Sequence, residues 1–419
     1  MEIYLDNAAT TKVDKRVLKE IINFSEESYA NPSSQHNLGA RVRKRIDEAR
    51  EKLANSIGAD VSEIIFTSGG TESNNFAIKG LTNSNSTKKH IITSTIEHPS
   101  VLKICETLEK SGYEVDYVGV NKEGIIDVED ISKKIRKDTL VVSIMHANNE
   151  IGTIQPIKEI GEICKNKKVY FHCDAVQSFG KLAIDVNLLN IDLMSVSGHK
   201  VNAPKGVGFL YVRLGTKIRP IIDGGEQEFK LRGGTENTVG IIAFAKAMEL
   251  DNYEDNIREV RDFMVDEFLK MDGAKINGSL SERLYNNISV SFFGIEGESL
   301  MLMLDDEEIF VSTGSACASH KLEESYVLSA INADELYVHG TIRISLGKDT
   351  NLEKAKFVIQ KIKEKVKKLR DISPFKLEKE KGCGTGCCLK KEGSAPLGVT
   401  AGVTRTSEEV PQIGEGGGK

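Results

Sequence analysis

No apolar run in this 419-residue chain approaches the roughly 20 residues that a membrane-spanning helix needs, so no membrane partner is expected. The start, Met1-Glu2-Ile3-Tyr4-Leu5-Asp6, carries neither a basic stretch nor an apolar one behind it, which argues against a secretory signal and makes the cytoplasm the expected compartment. Positive charge is not in excess. The formal charge of −6 argues against a generally basic nucleic-acid surface and favours small-molecule ligands. Seven cysteines, at positions 105, 164, 173, 317, 383, 387 and 388, lack the pattern of a secreted disulfide framework, so reduced thiols are expected. There is no internal repeat. What remains has the composition of a soluble globular protein, at a length that exceeds one hydrophobic core and predicts two or three packed units.

From about Ser62 to Tyr211 short β-rich apolar runs alternate with amphipathic stretches: Ile64–Phe66, Ile91–Thr93, Val115–Val118, Leu140–Met145, Val169–Phe171, Leu193–Val196 and Phe209–Val212. That rhythm predicts an α/β fold with a mostly parallel sheet and crossover helices. Before it, Val42, Ile46, Ala49, Leu53 and Ile57 share a face, predicting a helix from Arg41 to Ile57. After it, Ile241 to Leu269 reads as helical, with polar interruptions near Asn252 that mark passage to a second domain. Asn286–Phe293, Ser299–Leu304 and Thr341–Leu346 predict a smaller α+β unit, closed by a helix in which Phe357, Ile362, Val366 and Leu369 share a face. Beyond Pro374 the periodicity stops, and the Lys-, Glu- and Gly-rich end reads as a disordered tail.

Three motifs follow one another along the α/β rhythm. In Ile64-Ile65-Phe66-Thr67-Ser68-Gly69-Gly70-Thr71-Glu72-Ser73-Asn74 a strand runs into a glycine turn and a helix start, whose free amides and positive dipole end suit a phosphate. Taken alone, such a turn reads first as a plain connection. Next, Val169 to Gln177 is an apolar strand ending in a carboxylate, Asp174, where open α/β sheets bind ligands. In a pyridoxal-phosphate (PLP) site it would pair with the pyridine nitrogen and keep it protonated; capping a following helix is the competing role. Last, Lys200 follows a strand, between Ser197-Gly198-His199 and the turn Pro204-Lys205-Gly206-Val207-Gly208. A lysine there can hold a carbonyl as a Schiff base, although most lysines are solvated surface charges. The order of phosphate turn, acidic strand end and lysine favours a PLP enzyme.

The chain resembles the cysteine desulfurases of the class-V aminotransferase family, fold-type-I PLP enzymes of the kind that supply sulfur for iron–sulfur clusters. The resemblance runs from Tyr4-Leu5-Asp6-Asn7-Ala8-Ala9-Thr10-Thr11 to about Pro374. It is carried by Asn31-Pro32-Ser33-Ser34, the Thr67–Asn74 turn, Glu97-His98, Asn148-Asn149-Glu150-Ile151-Gly152, Asp174-Ala175-Val176-Gln177-Ser178, Ser197-Gly198-His199-Lys200 and Arg232-Gly233-Gly234-Thr235-Glu236-Asn237. It implies a large PLP-binding domain over 15–255 with a mostly parallel seven-stranded sheet. A small α+β domain over 1–14 and 256–374 would carry the catalytic cysteine loop, and 375–419 would be the tail. It implies Lys200 as the Schiff-base lysine and proton carrier, Asp174 on the pyridine nitrogen, and His98 stacked on the ring and assisting proton transfer. Asn149 and Gln177 would face the phenolic oxygen, and Asn149 the substrate as well. The Gly70 amide, Thr71, Ser197 and His199 would hold the phosphate, completed by Thr235 from a neighbouring subunit, hence a homodimer. His36, His90, His146, His172 and His320 receive no role.

Cys317 sits in Val311-Ser312-Thr313-Gly314-Ser315-Ala316-Cys317-Ala318-Ser319-His320, a run of small residues suited to a mobile, accessible loop. By the resemblance its thiolate attacks the sulfur of L-cysteine, leaving a persulfide on Cys317 and releasing alanine. The acceptor would be a partner protein, such as an iron–sulfur scaffold. Cys105, Cys164 and Cys173 lie in apolar patterns and read as small hydrophobes. Arg343, alternating with apolar neighbours, could clamp the substrate carboxylate or form a structural ion pair; its position matches the family's carboxylate-binding arginine. Three features depart from the family: Ala203 where glycine is common, the Asp223–Glu228 segment, and the cluster Cys383, Cys387 and Cys388. Three thiols are one short of an all-cysteine zinc site, leaving a metal with an outside ligand, a persulfide relay or a plain solvated tail. Competing functions are selenocysteine lyase, an aminotransferase that dispenses with Cys317, and a non-catalytic interaction platform working through the tail.

Overall fold

A two-residue strand, β1 (Ile3–Tyr4), opens the computed structural model, which describes residues 2–250, 254–313 and 324–375. The seven β-rich runs form one sheet from β2 (Ile64–Thr67), β3 (His90–Ser94), β4 (Glu114–Val118), β5 (Thr139–Met145), β6 (Tyr170–Asp174), β7 (Leu193–Ser197) and β8 (Gly208–Val212). Their order is β2-β8-β7-β6-β5-β3-β4, with β8 antiparallel to both neighbours and every other pair parallel. Every residue of β3, β5, β7 and β8 is buried, as expected of strands covered on both faces. Successive side chains accordingly divide between two apolar layers: Ile64, Phe66 and Val142 in one, Ile65 and Val141 in the other.

The helix expected from Arg41 to Ile57 spans Asn37–Asn55, starting earlier because the His36 ring accepts the Gly39 amide and caps it. Ile57 lies beyond its end but is fully buried. The stretch expected from Ile241 to Leu269 is two helices, Thr238–Ala247 and Glu254–Leu269.

The later residues build a second core. β9 (Ala274–Ile276), β10 (Asn287–Phe292), β11 (Ile309–Phe310) and β12 (Thr341–Ser345) supply an antiparallel sheet ordered β12-β10-β9, while β11 pairs in parallel with β1. Ile3 and Leu5 therefore belong to the cluster of Phe268, Phe292 and Ile344, not to that of the seven-stranded sheet. The closing helix, Leu352–Ile372, buries Ala355, Val358, Ile359, Ile362 and Val366. Phe357 does not share that face and is 37% exposed, because five residues at about 100° each set it roughly 140° from Ile362. A smaller cluster joins Ile96, Met145 and Ile151 to Val327, Leu328 and Ile331. The described residues lie within one compact unit, 1–377, and the expected tail from 376 onward lies outside them. Among the described residues no helix is long and apolar enough to cross a membrane.

Candidate active site

The carboxyl ends of the parallel strands carry the chemistry-bearing residues to one edge of the sheet, the edge where open α/β sheets bind ligands. β3 leads to Glu97 and His98, β5 to Asn148 and Asn149, β6 ends on Asp174, and β7 leads to the turn Gly198–Lys200. Register adds the glycine turn: Thr67 pairs with Gly208, and Gly208 with Ser197. The start of helix Gly70–Ser84 is thereby set beside the Ser197 hydroxyl. A methyl on Gly69, which has φ +146°, would stand 3.4 Å from Ser197 Oγ; one on Gly70 would stand 2.6 Å from Val176 Cγ2. A methyl on Gly208 would meet the Gly69 Cα at 2.7 Å, so backbone packs on backbone here. The first amides of this helix have no intrahelical acceptor and form an anion cradle with Ser197, while Thr71 is exposed at its mouth.

Asp174 opens a turn and caps no helix, since β7 is the next element after β6. Its Oδ1 accepts the Val176 amide at 3.0 Å, an Asx turn, and its Oδ2 accepts Asn74 Nδ2 at 2.7 Å. His98 caps the helix Pro99–Glu109, and burial with the nearby Lys200 charge pushes its ring below the usual histidine range, against the opposing pull of Asp174. Lys200 Nζ donates to the carbonyls of Ala8 at 2.5 Å and Ala9 at 2.8 Å, and Gln177 Nε2 donates to the Ala8 carbonyl at 3.0 Å. His199 Nδ1 is 3.1 Å from Thr10 Oγ1, and burial with the Lys200, Lys205 and Lys181 charges lowers the ring to about 4, so it is neutral. The Lys200 turn rests on buried Phe179, Phe209 and Phe244; a methyl on Gly198 would come within 3.3 Å of Phe244 and 3.2 Å of Ala203. Ala203 is itself fully buried, so the turn accommodates its extra methyl.

Arg343, 3% exposed, donates from Nη2 to Asp6 Oδ1 at 2.7 Å and from Nη1 to the Asn149 carbonyl at 3.1 Å. It is thus a structural ion pair as it stands. Its Nε, however, is buried without a hydrogen-bond partner among the described residues, as is Asn149 Oδ1. A donor and an acceptor are thus left without partners on two residues joined by the Arg343 Nη1–Asn149 carbonyl bond, two groups that a polar ligand could engage. The Arg343 backbone pairs with Ser312, with Arg343 N donating at 2.6 Å. Farther along, Ser325 Oγ donates to Glu150 Oε2 at 2.5 Å and the Tyr326 hydroxyl to the Glu97 carbonyl at 2.7 Å. Burial raises the Glu150 carboxyl to about 7 and that of Glu97 to about 8.

Cys317 and His320 lie outside the described residues, as do Cys383, Cys387 and Cys388. Cys105, Cys164 and Cys173 are buried; burial pushes the Cys105 thiol up to about 12 and the other two above their ordinary value, which leaves them unreactive. Among the described residues no three potential ligands form a metal cluster. Thr235 lines a cavity of about 130 Å³ with Thr67, Ser68 and Gly206 of its own chain. The donor set fits PLP: an anion cradle, a buried carboxylate for the pyridine nitrogen, an amine on the adjacent turn, and orphaned donors and acceptors for the remaining polar groups. Sequence reasoning gave no role to Asp6, Ala8, Ala9, Thr10 or Ser100, nor to Asn74 beyond its motif. Their partners lie far along the chain or are backbone carbonyls, and the N-terminal motif was the one available signal.

A family model described as aminotransferase class-V matches residues 3–357. A protein of Dictyoglomus turgidum named cysteine desulfurase IscS is 51% identical over 384 residues, covering 90% of this chain and 98% of its own. A protein of the same name from Methanosarcina thermophila is 48% identical over 379 residues, covering 89% and 94%. Among solved structures, a NifS-like protein at 40% identity matches with a TM-score of 0.83 over 88% of this chain and 100% of its own. A structure described as SspA in complex with cysteine, at 39% identity, matches with a TM-score of 0.75 over 82% and 98%.

Proposed function

This chain belongs to the class-V aminotransferase family, among its cysteine desulfurases, and on that premise we propose that it converts L-cysteine to L-alanine and passes the sulfur to an acceptor by way of Cys317. Bound PLP supplies the electron sink that weakens the substrate's Cβ–Sγ bond. Lys200 is the amine that carries the cofactor and moves protons at the substrate carbons; Asp174 keeps the pyridine nitrogen protonated. The Gly70 amide, Thr71, Ser197 and neutral His199 would hold the phosphate, and Gln177 and Asn149 would take the phenolic oxygen. His98 would lie against the bound ring. Arg343 and Asn149 offer Nε and Oδ1 to the substrate. The Cys317 thiolate attacks the substrate Sγ, an S–S bond forms as the Cβ–Sγ bond breaks, and the released electron pair is protonated at carbon to give alanine.

The observation that carries this reading is the double anchorage of the segment bearing Cys317. Its upstream end is bonded to the Arg343 backbone through Ser312, and its downstream end to Glu150 through Ser325. Cys317 is five residues from Ser312, at most about 18 Å of extended chain. The division into domains 15–255 and 1–14 with 256–374 is supported by the two separate apolar clusters. A second copy supplying Thr235, a cytoplasmic setting and an iron–sulfur scaffold as acceptor complete the reading. The test is to record the visible spectrum of the purified protein, add L-cysteine, and assay alanine together with persulfide. Cys317→Ser should keep the yellow cofactor and lose sulfide formation; full residual desulfuration overturns the assignment.

A further inference from the structure

We infer that Asn74 and Ser100 are positioning residues that join Asp174 to His98 in one hydrogen-bonded chain of fixed polarity, leaving the ring proton of His98 on Nε2. The inference rests on the desulfurase reading for its consequences but on geometry for its content. The Ser100 amide lies 3.1 Å from His98 Nδ1. An amide only donates, so Nδ1 holds a lone pair, and the single proton of the neutral ring is on Nε2. Ser100 Oγ is 2.8 Å from the same nitrogen. With no hydrogen on Nδ1, the hydroxyl donates as well, so the one nitrogen accepts from two donors. Its oxygen is then free to accept, and Asn74 Nδ2 stands 2.8 Å away. The other hydrogen of that Asn74 amide goes to Asp174 Oδ2 at 2.7 Å. Turning the amide over would face its carbonyl to a carboxylate, so the orientation of Asn74 is fixed too.

Three elements are tied together in this way. Asn74 lies one turn into Gly70–Ser84, the helix whose start forms the anion cradle; Ser100 lies in the first turn of Pro99–Glu109; Asp174 ends β6. Asn74 is 1% exposed, so its two donated bonds are made out of reach of bulk water. The charged groups facing the ring are Asp174 and Lys200. With Nδ1 engaged twice, His98 presents a donor and not a base to whatever its Nε2 meets, and proton removal from the substrate falls to Lys200. The chain also orients the carboxylate whose other oxygen is held by the Val176 amide, so both partners of the cofactor ring are set by a single network.

The experiment is nitrogen NMR of holoenzyme labelled with 15N-histidine, the His98 signals being those lost in His98→Ala. The expected result is an unprotonated Nδ1 and a protonated Nε2, with the Nδ1 signal displaced in Ser100→Ala and restored in Ser100→Thr. Alanine formation should fall about tenfold in kcat in Ser100→Ala and Asn74→Ala, as for one lost hydrogen bond in a low-dielectric site, with KM for cysteine little changed. Ser100→Thr should recover most of kcat. Should Asn74→Ala fail to fold, the half-buried Ser100 pair decides the matter. A proton on Nδ1, or an Nδ1 signal and a kcat both unmoved in Ser100→Ala, overturns the inference. If the tautomer is as expected but cysteine yields no alanine, the network stands and the desulfurase reading fails. Alanine formation with a protonated Nδ1 overturns the network and leaves the desulfurase reading standing.

Discussion

Glu97 carries a buried carboxyl whose proton makes stability fall as pH rises. It is fully buried; its Oε1 accepts the Ser94 hydroxyl at 2.6 Å and the Met145 amide at 2.9 Å, while Oε2 has no partner among the described residues. Burial, assisted by the charge of Asp174, outweighs those two bonds and raises the carboxyl from its ordinary 4.5 to about 8. Between those values the folded chain holds a proton that the unfolded chain has released, so each unit of rising pH removes about 1.4 kcal/mol of stability. From pH 6 to pH 8 the loss from this group is about 2 kcal/mol, and above about pH 9 it levels off. Glu97→Gln keeps the Oε1 acceptor and resembles the protonated acid, so at pH 6 it should lie within about 1 kcal/mol of the parent. By pH 9 it should have gained about 3 kcal/mol relative to the parent. Urea unfolding of both proteins in the same cofactor state, at half-unit steps from pH 6 to pH 9, measures the difference. Glu150, raised in the same direction, contributes equally to both and cancels. Parallel pH dependences of the two proteins would refute the reasoning.

Gly70→Ala places a methyl 2.6 Å from Val176 Cγ2, so the anion cradle must open; PLP affinity should fall about tenfold or more in an absorbance titration of the apoprotein, and unchanged affinity would count against the cradle. Arg50→Ala strands the buried carboxylate of Glu228, which Arg50 grips through two bonds of 2.7 and 2.8 Å beside the left-handed residues Glu228, Phe229 and Lys230. A stability loss of about 3–5 kcal/mol is expected from the urea midpoint. Ser325→Ala removes the donor to Glu150, which should raise that carboxyl further above about 7 and cost about 1–3 kcal/mol at neutral pH. An unchanged midpoint would show that the bond contributes nothing.

The seven strands, the glycine turn, Asp174 and Lys200 were legible in the sequence because each rests on a local pattern. Apolar runs bounded by turn residues become strands wherever both faces are covered, and a ligand edge follows from strand direction alone. Helix Leu352–Ile372 shows the limit of that reasoning, since Phe357 is apolar yet lies roughly 140° from Ile362, off the buried face and exposed to solvent. Periodicity assigns a sector, but packing chooses which residues fill it.

What only the tertiary structure decided is the set of contacts across long stretches of chain. Lys200 bonds to Ala8 and Ala9, Arg343 to Asp6, Asp174 to Asn74, and Ser325 to Glu150. No local rule pairs residues a hundred or more positions apart, and backbone carbonyls such as those of Ala8 and Ala9 look alike in every sequence. The same holds for charge states: Glu97 and Glu150 owe their raised carboxyls to burial, and burial is a property of the folded whole. The sequence determined which chemistry-bearing side chains are present and in what order they occur; the fold decided which partners each one meets.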